Sequence, residues 1–198
     1  MRLNSIQIVF TFLFITIGFS QNKPDSLLHV LKGTRNDIDR VNVLNEISNG
    51  YKTSDVRQMN YYAEEAYSLS QKIAFNKGKG NALRNLGTAA IISGDYKKAL
   101  DCFQKAAQLF EDEIQFGKSD QHIEQGLAKI YGSIGIVFAE QSNYSKALQY
   151  YLKSAKLFEK LKDEANSAIL YNNIGVVYLS QSSNFKALEY FTKAQKIQ

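Results

Sequence analysis

Three near-copies of one phrase constrain this chain more than any other feature: "GDYKKALDCFQKA" from Gly94 to Ala106, "SNYSKALQYYLKS" from Ser142 to Ser154, and "SNFKALEYFTKA" from Ser183 to Ala194. Ahead of them stand Leu86-Gly87, Ile134-Gly135 and Ile174-Gly175, each glycine twelve residues before an alanine, Ala99, Ala147 or Ala187. Four positions after each alanine comes an aromatic residue (Phe103, Tyr151, Phe191), and three beyond that a small one (Ala106, Ser154, Ala194). Spacings of three, four and seven share one helix face, so each unit reads as a helical hairpin with the glycine on its first helix and the alanine on its second. A glycine inside a helix costs roughly 1 kcal/mol against alanine. Its return at one slot therefore calls for a close approach: Gly87 opposite Ala99, with Phe103 filling the space beside the crossing.

A degenerate earlier unit runs through Leu44, Ile47, Tyr51, Met59, Ala63 and Ala66, with Ser48 in the glycine slot. The interval is 40 residues from Ala66 to Ala106, 48 from there to Ser154, and 40 again to Ala194. The eight additional residues fall between Glu111 and Gly126, read as an extended helix end plus a polar loop. With one proline in the whole sequence, long helices meet few breakers.

The run Tyr131, Ile134, Gly135, Phe138, Asn143, Tyr144, Ala147, Tyr151 and Ser154 resembles the tetratricopeptide repeat. So does Tyr171, Ile174, Gly175, Tyr178, Ala187, Phe191 and Ala194. Leu83, Leu86, Gly87, Tyr96, Ala99, Phe103 and Ala106 follow the same order, with Ala90 replacing the usual first-helix aromatic. In the fourth unit the turn aromatic, Phe185, comes one place later than Tyr96 and Tyr144. The resemblance implies an all-α fold of tandem helical hairpins, about four repeats stacked as a superhelix, or α-solenoid. The period exceeds the family's usual length of about 34 residues, as in the longer repeats of kinesin light chains and Rap-type peptide sensors. The expected division is a signal peptide at 1–20, an N-terminal helix or cap at 21–40, a degenerate repeat at 41–79, a second repeat at 80–118, a polar insert at 119–127, a third repeat at 128–167 and an uncapped fourth at 168–198.

The opening "MRLNSIQIVFTFLFITIGFS" carries one positive charge and then an uncharged apolar stretch from Ile6 to Phe19. At 14 residues this is shorter than the ~20 needed to span a bilayer, and Gly18 and Ser20 supply a small-residue cleavage site. The expected address is exported, periplasmic or extracytoplasmic in a bacterium, after cleavage before Gln21. Cys102 is the only cysteine, so no intramolecular disulfide forms, and it reads as a small buried hydrophobe. The formal charge of +5 is spread over dispersed lysines, which argues against a nucleic-acid partner. His29 and His122 have no partner at metal or general-base spacing. "NKGKGNALRNLG" lacks a Gly-Lys-Ser/Thr ending and a preceding strand, and reads as the turn into a first helix. The expectation is a non-enzyme without cofactor or metal.

Stacked hairpins line an inner surface with first helices, where extended peptides or partner helices lie. Counting from the glycine slot places Asn45, Asn49, Asn81, Arg84, Asn85, Lys129, Asn172 and Asn173 there, with Thr88 and Ser133. An amide offers a donor and an acceptor together, and so can hold a peptide backbone without reading its side chains. Repeats of this family that grip carboxylate-ended chaperone tails use five polar positions. Asn49, Asn85 and Lys129 stand at three of them, while Asn45 replaces a lysine and Ser133 an arginine. Lys97, Lys98, Lys146, Lys153, Lys186 and Lys193 on the second helices read as a solubilising convex face. The functional expectation is an exported, non-catalytic scaffold binding a protein or peptide in its groove. The second helix of the last unit runs to Gln198 with no capping helix after it, so the alternative is the sensory front of a larger membrane signalling protein of histidine kinase type. Membrane attachment would then come only from downstream sequence or from an uncleaved signal.

Overall fold

The computed structural model describes residues 22–117 and 120–197. The expected signal peptide at 1–20 and its expected cleavage before Gln21 lie outside the described residues. Within them the chain forms nine helices and no strand: α1 (Asn22–Gly33), α2 (Asp37–Gly50), α3 (Val56–Lys72), α4 (Asn76–Ile92), α5 (Tyr96–Gln115), α6 (Gln121–Glu140), α7 (Tyr144–Lys160), α8 (Glu164–Ser180) and α9 (Asn184–Ile197). Each helix packs on the next, and α4 also touches α2 and α6 directly. The result is the all-α stack of hairpins, α2/α3, α4/α5, α6/α7 and α8/α9, that the repeats call for.

The turns explain why the helices stop where they do. Gly94, Ser142 and Ser182 occupy the same place after a first helix, and all three have positive φ, at 77°, 57° and 58°. Ala74 and Lys162 do the same after second helices, at 54° and 56°. The following N–H reaches back to a carbonyl in the last helical turn: Asp95 to Ala90, Asn143 to Phe138, Asp163 to Phe158. Left-handed residues thus close these helices with orphan carbonyls satisfied. The next helix is capped at once, by Asp95 on the Lys98 N–H at 2.9 Å, Asn143 on Lys146 at 3.3 Å and Asp163 on Asn166 at 3.2 Å. Left-handed backbone costs a residue with a Cβ roughly 1–2 kcal/mol, part of which glycine returns as chain entropy. Lys162→Gly, at an exposed turn, is therefore expected to raise the unfolding free energy by roughly 0.5–1 kcal/mol, read as a higher urea midpoint.

Inside each hairpin the glycine slot is where the two helices meet most closely. A Cβ built on Gly87 would stand 2.6 Å from the Phe103 ring; on Gly135, 2.5 Å from Tyr151; on Gly175, 2.5 Å from Phe191. The aromatic ring itself lies against the glycine, whereas the sequence places the alanine opposite it. Ala99, Ala147 and Ala187 are fully or nearly fully buried one turn away. The first unit solves the same problem with sizes exchanged. Ser48 fills the slot and donates its hydroxyl to the Met59 carbonyl at 2.7 Å, Met59 replaces the alanine, and Ala63 replaces the ring. All three are fully buried.

Two expectations change. Between Glu111 and Gly126 the expected extended helix end is present as the end of α5, but the expected polar insert at 119–127 is helical from Gln121, as the start of α6. Helices α5 and α6 each have 20 residues against 17 for α4, α7 and α8. Ile123, Gly126 and Leu127 are buried, so the residues read as a polar insert supply core. The stretch beginning at Asn76 is helix from its first residue, with Gly78 and Gly80 buried inside it. Gly80 and Gly126 admit the Phe110 ring between α4 and α6, and this contact offsets the helical cost of both glycines.

The second-helix lysines are exposed, but in the last two units they also sit on rings. Lys146 lies over Phe138 at 5.1 Å and Lys186 over Tyr178 at 5.3 Å, while Lys153 covers Tyr131 and Tyr150 and Lys193 covers Tyr171 at 3.9 Å. These contacts are cation–π in kind and, the Lys153–Tyr150 pair within α7 apart, join the two helices of the third and fourth hairpins. The second unit has Leu83 and Ala90 where those rings would stand, and its Lys105 pairs with Asp101 at 2.7 Å instead. Cys102 is buried, and burial pushes its thiol pKa up.

Candidate functional site

The first helices α2, α4 and α6 lie side by side and border an open groove of about 740 Å³. Asn45, Asn49, Asn81 and Arg84 all line it, so half of the residues singled out from sequence converge at one place. Asn42, Glu46, Lys77, Asp120 and His122 complete its polar wall, with Ile38 and Phe75 as the apolar part. Asn42 was legible in principle, standing six residues before Ser48 as Asn81 stands six before Gly87. Asp120 and His122 arrive through the lengthened start of α6. Asp120 caps that helix on the Ile123 N–H at 2.8 Å and pairs with Lys77 of α4 at 3.2 Å. The Ile123 bond first, and then Lys77, hold its carboxyl below the usual carboxylate range against the opposing effect of burial.

Two of the asparagines serve the scaffold. Asn85 is 1% exposed, and its amide donates to the Asn45 carbonyl at 2.9 Å. The Asn45 amide donates to the carbonyls of Val41 and Gly78, each at 3.1 Å. Together they stitch α2 to α4, so Asn85 does not face the groove as the spacing implies. The cause is the adjoining backbone: the α2 carbonyls come within reach of an amide two residues before the slot, and burial makes that pairing obligatory. Thr88 and Ser133 are likewise turned back on their own helices, donating to Arg84 O at 2.9 Å and Lys129 O at 3.0 Å. Among the described residues no intrachain hydrogen bond engages the side chains of Asn49, Asn81, Asn172 or Asn173. The last two, half-buried on α8, lie outside the cavity wall.

Arg84 is the unusual member. Its Nε is buried and has no hydrogen-bond partner, and its Nη2 reaches only the Asn85 side-chain oxygen, at 3.4 Å. Burial lowers the guanidinium pKa. Lys129, half-buried on α6, is lowered first by burial and then by the charge of Arg84, which Asp163 partly offsets. Lys129 is not among the residues that line the cavity. Among the described residues, Tyr171 Oη is the other buried side-chain polar atom without a hydrogen-bond partner. No three His, Cys, Asp or Glu side chains among the described residues converge to hold a metal, and no described helix is long and apolar enough to cross a membrane.

Family models for the tetratricopeptide repeat match residues 80–113 and 126–198, together more than half of the chain. The chain belongs to the tetratricopeptide repeat family. No curated protein matches the sequence. Among solved structures, a Rap protein complexed with competence and sporulation factor superimposes with a TM-score of 0.78 at 16% identity, over 88% of this chain and 48% of that one. Aspartyl phosphate phosphatase F from Bacillus subtilis gives 0.74 at 20% identity, over 90% and 48%. BtubC (BKLC) from P. vanneervenii gives 0.71 at 14% identity, over 91% and 73%. The chain therefore spans about half the length of the Rap protein and of the phosphatase. At these identities the likeness is one of fold. The class so defined is a repeat scaffold for protein–protein interaction.

Proposed function

We propose that this is an exported, non-catalytic scaffold whose first-helix groove holds an extended peptide or protein segment. The observation that carries the reading is the convergence of Asn49, Asn81 and Arg84 on one cavity with polar atoms that the chain itself leaves unused. Amides can pair with both the N–H and the C=O of a passing backbone. The Rap protein that superimposes best among those described is itself complexed with a factor, which supports a ligand-binding use of the fold.

Selection of phage-displayed random dodecapeptides on purified residues 21–198 is expected to enrich a consensus. Asn49→Ala combined with Asn81→Ala should remove that enrichment, while Lys97→Ala with Lys98→Ala, on the exposed face of α5, should leave it. Equal enrichment by both variants would exclude the groove. Export has its own measurement: mass spectrometry of the protein from the producing cell should find Gln21 at the mature N-terminus, and an intact Met1 in mature protein would contradict it.

A further inference from the structure

We infer that the outer face of the α8/α9 hairpin is a self-association surface, on which a second copy of this chain docks about a two-fold axis through Leu188. The inner units show what this face lacks. On α5 the stripe Leu100, Phe103, Ala107 and Phe110 packs in one core with Ile123, Leu127 and Ile130 of α6. On α7 the stripe Leu148, Tyr151, Ala155 and Phe158, at the same spacings, packs with Ala168 and Tyr171 of α8. Helix α9 begins the stripe again with Leu188 and Phe191, and no described helix covers it. Leu188 is 65% exposed where Leu100 and Leu148 are half-buried, and Phe191 is half-buried where Phe103 and Tyr151 are buried. Leu179 of α8 is exposed where Ile91 and Ala139 are half-buried. Phe185 is 93% exposed and stands where the second and third units carry Lys97 and Ser145. That aromatic has no counterpart in the repeat, so the face is apolar beyond what a missing neighbour accounts for.

The pattern favours a second copy over a further first helix. Helices α6 and α8 lie along the whole of their stripes, where Ala107 and Ala155 leave room; at the same place α9 carries an exposed Gln195, which a helix laid that way would meet. The apolar part of α9 is confined to its first two turns, as Phe185, Leu188 and Phe191. Turned end for end, this stripe reads the same about Leu188. An antiparallel copy sets Leu188 against Leu188 and Phe185 against Phe191, the mutual exchange that a two-fold interface requires. No charged side chain lies between these three on their face, so self-pairing brings no like charges together along the stripe and nothing in it selects an ionic partner. The area agrees with a reversible dimer. Phe185 exposes about 150–200 Å², and with Leu188, Leu179 and Phe191 each copy offers roughly 400–500 Å² of mainly apolar surface. Two copies together approach the ~1,000 Å² at which specific interfaces begin, well short of a permanent one.

Sedimentation equilibrium of residues 21–198 is expected to show monomer and dimer exchanging, with dimer the main species at ~100 µM. Leu188→Glu sets charge against charge across the axis and should raise the dissociation constant at least 100-fold; Phe185→Ser should raise it at least ten-fold. Both side chains are exposed, so the thermal midpoint of the monomer should not fall in either variant. Phe116→Glu, at a residue 74% exposed beyond the end of α5, should leave the dimer intact. The axis has its own readout: under copper–phenanthroline oxidation Leu188→Cys should form a disulfide-linked dimer rapidly and Phe116→Cys should not, while the buried Cys102 takes no part. A monomer at ~100 µM, a dimer indifferent to Leu188→Glu, or cross-linking no faster through residue 188 than through residue 116 would each overturn the proposal. Growth into longer chains with concentration would show head-to-tail contacts and overturn the two-fold pairing. A monomer that instead binds an added peptide of the α8 sequence, Glu164–Ser180, would give the face to a first helix from elsewhere and overturn it too. None of these outcomes touches the groove, whose own test is the peptide selection.

Discussion

Phe103→Ala is expected to lower the unfolding free energy by roughly 3–5 kcal/mol, a large share of the total for a domain of this size. The ring is fully buried and lies directly on Gly87, so its removal leaves a void bounded by helix backbone, which cannot collapse to fill it. Gly87→Ser should cost roughly 1–3 kcal/mol, because the new Cβ would stand 2.6 Å from the ring and force it off its rotamer. The first unit shows how these costs can cancel. There a serine, a methionine and an alanine fill the slot, the alanine site and the ring site, all fully buried. Gly87→Ser, Ala99→Met and Phe103→Ala together should therefore lose less than the single changes summed, by roughly 1–3 kcal/mol of coupling. The introduced hydroxyl would have the carbonyl of residue 99 as its acceptor, as Ser48 has that of Met59. Urea denaturation of the three single variants and the triple variant measures this. Strict additivity would show that the two units differ in more than the exchange of volumes.

The same comparison shows what the spacing of residues can and cannot reveal. Gly87, Gly135 and Gly175 are legible because each recurs at a fixed distance from an alanine and an aromatic, and the helix period turns that distance into a shared face. Which side chain covers the glycine is not in the spacing. The alanine and the aromatic lie on the same face one turn apart, and only the approach angle of the second helix decides that the ring takes the contact. The early start of α6, inside the expected polar insert, was hidden for another reason. Ile123, Leu127, Ile130 and Ile134 continue one buried stripe, yet Asp120, Gln121, His122, Glu124 and Gln125 surround its start and give the stretch a loop-like polarity.

At the groove, position relative to the slot predicts a face and nothing about the backbone opposite. Asn85 and Asn173 both stand two residues before their glycines. Asn85 meets the Asn45 carbonyl and becomes a strut between α2 and α4, whereas no intrachain bond engages Asn173. Arg84 looked like one polar residue among several asparagines. Its distinction is a buried Nε without an acceptor, and an unmade bond leaves no trace in residue spacing. The lysines of the second helices were read only as solvated charge because their partners lie on a different helix, although each ring recurs at the same distance from its lysine in the third and fourth units.

Phe110→Ala is expected to do damage of a different kind from Phe103→Ala, at a similar cost of roughly 3–5 kcal/mol. Phe103 joins the two helices of one hairpin, whereas Phe110, 1% exposed, lies between Gly80 of α4 and Gly126 of α6 and closes the second unit onto the third. In a stack where each unit contacts only its neighbours, weakening a junction lowers the coupling between halves more than the stability of either. The Phe110→Ala protein should therefore unfold over a broader denaturant range, with a smaller m value, and hydrogen exchange should find α6 to α9 opening apart from α2 to α4. Gly126→Ala should move the same observables in the same direction by roughly 1–3 kcal/mol, since its Cβ would stand 2.5 Å from the ring. The junction also sets how α4 and α6 face each other, so groove peptides should bind Phe110→Ala more weakly although no peptide touches the ring. A variant that unfolds in one sharp transition and binds those peptides at full strength would show that other contacts fix the spacing of the first helices, and that the glycines around Phe110 serve some other need.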